Sequence, residues 1–174
     1  MLTARVKIGS GNVVDTLTEY GLVYLDSDKV VGPKSKGFDS TSYPEEEGEH
    51  IIPKTVDAPF DYKVKFFVDP GVPSGGTEAL NTANQKIKRF NAALFDYVLD
   101  PGGVETGVKQ YKKVEFYNKY KRHLIVGYPQ EIAEATDYWH DTANQLNDVV
   151  VVEWTIRVTK PSECNFYAAE SPSV

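Results

Sequence analysis

The sequence predicts a mainly β fold of the α+β class, a β-sandwich or barrel with one amphipathic helix packed against it. Three observations predict it. Runs with strand periodicity outnumber runs with helical periodicity. One long helical stripe stands between them. The connections have hairpin or irregular chemistry in place of the regular spacing of βαβ units. The 174 residues, 41% hydrophobic and 25% charged, suit a single domain with one core.

Taken in order, Arg5–Ile8 reads as an edge strand ahead of Gly9-Ser10-Gly11. Leu22–Leu25 is a short strand, followed by a turn at Asp26-Ser27-Asp28 and a return through Lys29 to Val31. From Gly32 to Pro59 the chain is polar and without a sustained period, punctuated by Pro33, Gly37, Pro44, Gly48, Pro53 and Pro59. Connections this long inside a compact domain are uncommon and belong to function or to disorder. Their one hint of regularity is Glu49-His50-Ile51-Ile52, a piece of extended chain. Tyr62, Val64, Phe66 and Val68 then alternate with Lys63, Lys65 and Phe67, the period-2 pattern of a half-buried strand, which Pro70-Gly71 stops.

Leu80, Ala83, Ile87, Phe90, Leu94 and Tyr97 recur at i+3/i+4 spacing and share one stripe of a helix. Thr77 is its N-cap, Glu78 complements the positive end of its dipole, and Pro101-Gly102-Gly103 breaks it. Val114, Phe116 and Asn118 alternate with Glu115, Tyr117 and Lys119, in a strand continuing through Tyr120 toward Leu124 and Val126. Gln130 to about Trp139 reads as a second, shorter helix. Val150, Val152, Trp154, Ile156 and Val158 form the apolar face of the last strong strand, which Pro161 ends. Residues 1–161 are thus expected to form one β-rich domain with a long loop at 32–59, and residues 162–174 a flexible tail.

Charge and composition exclude whole classes. A net charge of −6 and a pI near 5.1 argue against nucleic acid or an anionic membrane as an unaided partner. One cysteine, Cys164, rules out an internal disulfide framework and a cysteine-based zinc site. No segment approaches the roughly 18 unbroken apolar residues of a membrane span, and Met1–Asp15 lacks the apolar core of a secretory signal. The expectation is a protein made in the cytosol.

Catalytic constellations are missing. Gly9-Ser10-Gly11 precedes no Lys-Ser/Thr pair, so it is a turn and not a phosphate loop. Gly71–Gly76 leads into the helix, where free N–H groups suit an anion, but a strand-to-helix connection needing loose dihedrals is by far the stronger reading. His50, His123 and His140 have no local histidine partner of the kind zinc sites use. The run Glu45, Glu46, Glu47, Glu49 and His50 lacks the alternate oxygen spacing of a calcium loop and reads as a solvated acidic loop. His140-Asp141 invites acid–base chemistry, yet adjacent residues rarely face each other. Cys164 has no nearby base in sequence and is a bystander thiol. The expectation is a chain that is not an enzyme, with no catalytic residues, metal or cofactor.

What remains is a division of charge. Lys109–Lys113 with Lys119, Lys121 and Arg122 form a basic run interleaved with aromatics, and the 45–49 segment is acidic. The basic strand is expected to complement an acidic surface in this chain or in a neighbour; between copies, head to tail, such halves close into a ring if the rotation closes. The expected assembly residues are Tyr43, Glu45, Glu46, Glu47 and Glu49 on the loop, and Tyr117, Lys119, Lys121 and Arg122 opposite. The alternative is a β-sandwich module binding carbohydrate or protein through exposed aromatics. Of the two tryptophans, Trp154 lies on an apolar strand face that suits the core, which leaves Trp139 for stacking.

Several short motifs bear on this choice. Asp15-Thr16, Tyr20-Gly21-Leu22, Pro33-Lys34, Tyr43-Pro44-Glu45-Glu46-Glu47-Gly48-Glu49, Val64-Lys65-Phe66 and Val114 through Arg122 succeed one another. In this succession, from about Asp15 to Pro161, the chain resembles prophage tail-component proteins of gut Bacteroidetes, similar in plan to tail-tube and distal-tail proteins of long-tailed phages. The resemblance implies a sandwich or barrel with one flanking helix, assembled as hexameric rings with other tail proteins in a virion tail. It implies a long loop, here Gly32 to Pro59, reaching a neighbouring subunit. It carries over no catalytic residue. Distal-tail proteins usually add a second, C-terminal domain, so the expectation is a tail-tube, tail-terminator or stand-alone tube-like protein.

Overall fold

The computed structural model describes residues 3–29, 39–41, 50–52, 57–68, 76–133, 135–139 and 149–166. In chain order the strands are β1 (Arg5–Ile8), β2 (Val13–Asp15), β3 (Leu22–Ser27), β4 (Asp39–Thr41), β5 (His50–Ile52), β6 (Phe60–Val68), β7 (Phe95–Leu99), β8 (Glu105–Tyr111), β9 (Val114–Asn118), β10 (His123–Pro129), β11 (Ala135–Trp139) and β12 (Val149–Val158). The helices are α1 (Thr16–Tyr20) and α2 (Gly76–Ala93), and a 3-10 turn spans Pro161–Glu163.

One antiparallel sheet runs β2-β1-β9-β10-β12-β6-β3, with β11 added on β12. Its centre is the long pairing of β12 with β6, from Val150↔Val68 to Val158↔Phe60. Both strands alternate as the sequence predicts, so Tyr62, Val64, Phe66 and Val68 and then Val150, Val152, Trp154, Ile156 and Val158 are all buried on one face. The sheet folds over that face. Phe116 of β9 meets Phe66 of β6 edge-on at 6.3 Å, although two strands separate β9 from β6 along the ladder. The contact therefore crosses the core, and the fold is a β-sandwich.

β10 makes the corner. Its first part, from His123 to Gly127, pairs with β9, and its last residues, Tyr128 and Pro129, pair with Arg157 and Ile156 of β12. At the crossing, a β-carbon on Gly127 would sit 2.4 Å from the Arg157 carbonyl oxygen. Only glycine fits there.

α2 lies over the sandwich. Ala83, Ile87, Phe90 and Leu94 are buried, and the Phe90 ring stands edge-on to Trp154 at 5.1 Å and to Tyr20 at 5.0 Å. Tyr20 belongs to α1, a single turn that Asp15 starts by accepting from Leu17 N (2.9 Å) and Thr18 N (3.2 Å). Gly21 ends it in the left-handed region at φ 69°.

Several expectations are corrected. The helical stripe stops at Leu94, because Phe95-Asp96-Tyr97-Val98-Leu99 pairs as a strand with Glu105–Tyr111, so Tyr97 is on β7. α2 begins at Gly76, one residue ahead of the expected cap Thr77. The expected helix at 130–139 contains a strand instead, β11, which pairs with Val149–Val152. The strand expected to run from Val114 to Val126 reverses at residues 119–122, where Arg122 has φ 54°. Arg5–Ile8 is not an edge, since it pairs with both β2 and β9. The stretch beyond Pro161 docks as far as Phe166, and 167–174 lie outside the described residues. The 32–59 segment includes β4 paired with β5, which contains His50-Ile51-Ile52 of the expected extended piece.

Candidate assembly surface

β7 and β8 form a two-stranded hairpin that belongs to neither face of the sandwich. Its turn is built by Asp100, whose Oδ1 accepts from Gly102 N and Val104 N, each at 2.8 Å. Gly103 completes it at φ 80°, in the left-handed region that favours glycine. Beyond the turn, the register slips: Leu99 faces Glu105, and Tyr97 faces Lys109. The bulge contains Gly107 at φ 76° and is held by Thr106 Oγ1 donating to the Val98 carbonyl at 2.8 Å.

The base of the hairpin is gripped. Asn91 of α2 exchanges two hydrogen bonds with the Ile132 backbone, at 2.8 and 2.9 Å, which fixes the neighbouring Glu131. Glu131 Oε1 then accepts from Lys109 Nζ (2.5 Å) and Tyr111 Oη (2.9 Å). Those bonds lower the Glu131 carboxyl's proton affinity and raise those of Lys109 and Tyr111. Lys109 also sits 4.3 Å above the Phe95 ring, and Phe95 contacts Tyr97 and Tyr111. Lys112 pairs with Asp96 at 2.9 Å.

Away from that base the hairpin shows apolar side chains to solvent. Leu99 and Val108 are each 58% exposed and Val104 is 65% exposed, with Tyr97, Val98 and Tyr111 partly so. Most of the large exposed apolar side chains among the described residues lie on this one element. A concentration of that kind marks an interaction surface far more often than scattered exposed residues do. Sequence reasoning missed it. The signal was Asp100-Pro101-Gly102-Gly103 between two short β-prone runs, which reads as a hairpin turn as readily as a helix stop.

Of the expected assembly residues, Tyr43, Glu45, Glu46, Glu47 and Glu49 lie outside the described residues. Tyr117 sits on β9 on the face opposite Phe116 and lines a cleft of about 300 Å³ with Arg5, Asp15 and Lys119. Lys119 is exposed, its amine 5.2 Å from the Tyr120 ring. Arg122 is exposed in the β9–β10 turn. Lys121 is bonded to Asp26 Oδ1 at 2.8 Å, which lowers the Asp26 proton affinity. Within the basic run, Lys113 is paired with Glu163, as Lys109 is with Glu131 and Lys112 with Asp96. Much of that charge is therefore matched inside the fold.

Other expected features are placed as follows. Trp154 is fully buried, as its strand face predicts. Cys164 lies against the β10 backbone, its Sγ accepting from Val126 N at 3.3 Å, and burial raises its thiol's proton affinity. Trp139 is on β11, while His140 and Asp141 lie outside the described residues. Among the described residues no three His, Cys, Asp or Glu side chains converge as metal ligands, and no helix is long and apolar enough to cross a membrane.

No protein-family model matches this chain, and no curated protein matches it. Among solved structures it is similar to the Dit protein (gp 19.1) of SPP1, described as a paradigm of the hub adsorption apparatus in phages infecting Gram-positive bacteria. The identity is 12% and the TM-score 0.48, over 91% of this chain and 50% of that one. This chain thus spans about half the length of that protein.

Proposed function

We propose that this chain is a structural subunit of a phage tail or tail-like tube, working by self-association into rings beside other tail proteins. The observation that carries the reading is the β7–β8 hairpin, firmly held at its base and apolar where it meets water. Burying the part of Leu99, Val104 and Val108 that is still exposed against a neighbouring copy contributes about 1–2 kcal/mol each. An exposed ion pair contributes roughly 0–1 kcal/mol. The hairpin therefore outweighs the charge pattern as the source of affinity, and the charges set register. In this reading Tyr43, Glu45, Glu46, Glu47 and Glu49 form an arm that meets Tyr117, Lys119, Lys121 and Arg122 of the next copy.

The test is sedimentation velocity and electron microscopy on concentrated protein. The parent chain is expected to form rings or larger oligomers. The triple variant Leu99→Glu, Val104→Glu, Val108→Glu is expected to stay monomeric with an unchanged circular dichroism spectrum. Deletion of 37–49 reports on the arm in the same way. Association that survives the triple substitution removes the hairpin as its carrier, and a parent that never associates removes the self-assembly reading.

A further inference from the structure

Where β9, β10, β3 and β6 meet, five polar side chains form one buried cluster. Asn118 Nδ2 donates to Tyr24 Oη at 2.6 Å and to Ser27 Oγ at 3.2 Å. Ser27 Oγ lies 2.7 Å from Tyr62 Oη, which lies 3.0 Å from His123 Nδ1. Asn118 and Tyr62 are fully buried, and His123 is 6% exposed. With the neutral imidazole carrying its proton on Nε2, the donors run in one direction: Ser27 donates to Tyr62, and Tyr62 donates to Nδ1.

A short segment closes over His123 from outside. After the 3-10 turn the chain folds back along β10, where Asn165 and Leu124 exchange both backbone hydrogen bonds at 2.8 and 2.7 Å. That pair is an isolated bridge. The next residue, Phe166, is 8% exposed and sets its ring edge-on to the imidazole at 5.6 Å, with Phe60 6.0 Å away on its own side.

We propose that Cys164–Phe166 is an acid-released strap and that His123, which it covers, is its trigger. Tyr24 Oη also lies 3.2 Å from Ser27 Oγ; an imidazolium turns Nδ1 into a donor, so the hydroxyl chain reverses and the Tyr24 proton loses Ser27 as its acceptor. No carboxylate in the cluster balances the new charge. On β3 the acid is Asp26, committed to Lys121 at 2.8 Å, and just past the strand Asp28 accepts from Lys63 N at 2.8 Å. From β6 the facing group is Tyr62, from β9 it is Asn118, and the β9–β10 turn brings the like charge of Lys121. The strap carries Cys164 beside Glu163, whose partner is Lys113.

Burial, and after it Lys121, hold His123 below the ordinary imidazole value of about 6.5. Opening the strap readmits solvent and lets that value rise toward the ordinary one, so protons favour the open form. The strap is therefore fully closed above about pH 6.5 and loosens as pH falls toward the depressed folded value. At pH 5 the open-to-closed ratio rises by up to about thirtyfold. Release bares the pairing groups of Leu124 on β10. This device stands whether or not the chain assembles into a tail.

The experiment is amide hydrogen exchange by NMR on the full chain at pH 7.5 and pH 5.0, normalised for intrinsic exchange. Protection at Leu124 and Asn165 is expected to fall selectively, by at most about thirtyfold, while Val64 and Trp154 hold. His123→Asn keeps an acceptor for Tyr62 but takes no proton, so its protection at those amides is expected to be flat with pH. Phe166→Ala is expected to expose both amides at either pH, and to raise the His123 titration midpoint toward the ordinary value. Three results overturn the strap: no selective loss in the parent, the same loss in His123→Asn, or equal His123 midpoints in the parent and Phe166→Ala. If His123→Asn does not fold, the midpoint comparison decides alone.

Discussion

Asn118 shows how much one buried side chain can hold. Its amide nitrogen serves Tyr24 and Ser27 on β3, and its oxygen accepts from Tyr120 N (2.9 Å) and Lys121 N (3.3 Å) in the turn that returns β10. Substitution by alanine strands several buried polar groups at once, each loss amounting to about 1–3 kcal/mol where water cannot enter. Asn118→Ala is therefore expected to lower unfolding free energy by about 2–4 kcal/mol, read as a shifted urea midpoint with an unchanged slope. A loss under about 0.5 kcal/mol would mean the cluster is solvated and not structural. Gly127→Ala tests the corner of the sandwich. With the Arg157 carbonyl so close, β10 or β12 must move, and the expected loss is at least about 1–3 kcal/mol. At this scale the sequence was legible where a residue's role is local to its strand. Trp154 could be placed in the core from the alternation of its neighbours alone. The roles of Asn118 and His123 could not, because their partners at Tyr24, Ser27 and Tyr62 come from distant parts of the chain.

Elements were legible in proportion to the length of their period. β6, β12 and the body of α2 carry long, clean patterns and stand where expected. Errors fell where two elements of different period abut without a gap. Leu94 closes the helical stripe and is buried, but Tyr97, the next residue in register, lies on β7 because Phe95–Leu99 found a partner in β8. A local stripe cannot announce a pairing whose other strand lies ahead. The same hairpin gives the element-scale prediction. Its ends already touch, with Lys112 N donating to the Leu94 carbonyl at 2.8 Å. Replacing Phe95–Tyr111 by two glycines should leave the sandwich folded, since the hairpin's strands add no residue to the core cluster. The expected result is a melting temperature within a few degrees of the parent, alongside loss of self-association. A collapse of the melting transition would show the hairpin to be part of the fold and not an arm.

At the scale of the whole molecule, net charge and apolar surface pull against each other. A chain of charge −6 repels its own copies, and that repulsion weakens as salt shortens the screening length from about 10 Å at 0.1 M to about 3 Å at 1 M. Ion pairs between an acidic arm and a basic surface weaken over the same range. Apolar burial by Leu99, Val104 and Val108 does not. The two ways of assembling therefore respond to salt with opposite sign. The fold already matches Lys109, Lys112, Lys113 and Lys121 to its own acids, which leaves less of this basic run to attract a neighbour. Hairpin-driven association is expected to strengthen as sodium chloride rises from 0.1 to 1 M, read as a growing oligomer fraction in sedimentation velocity at fixed protein concentration. An oligomer fraction that falls across that series would assign the affinity to the charged arm, and the hairpin would then be a surface awaiting a different partner.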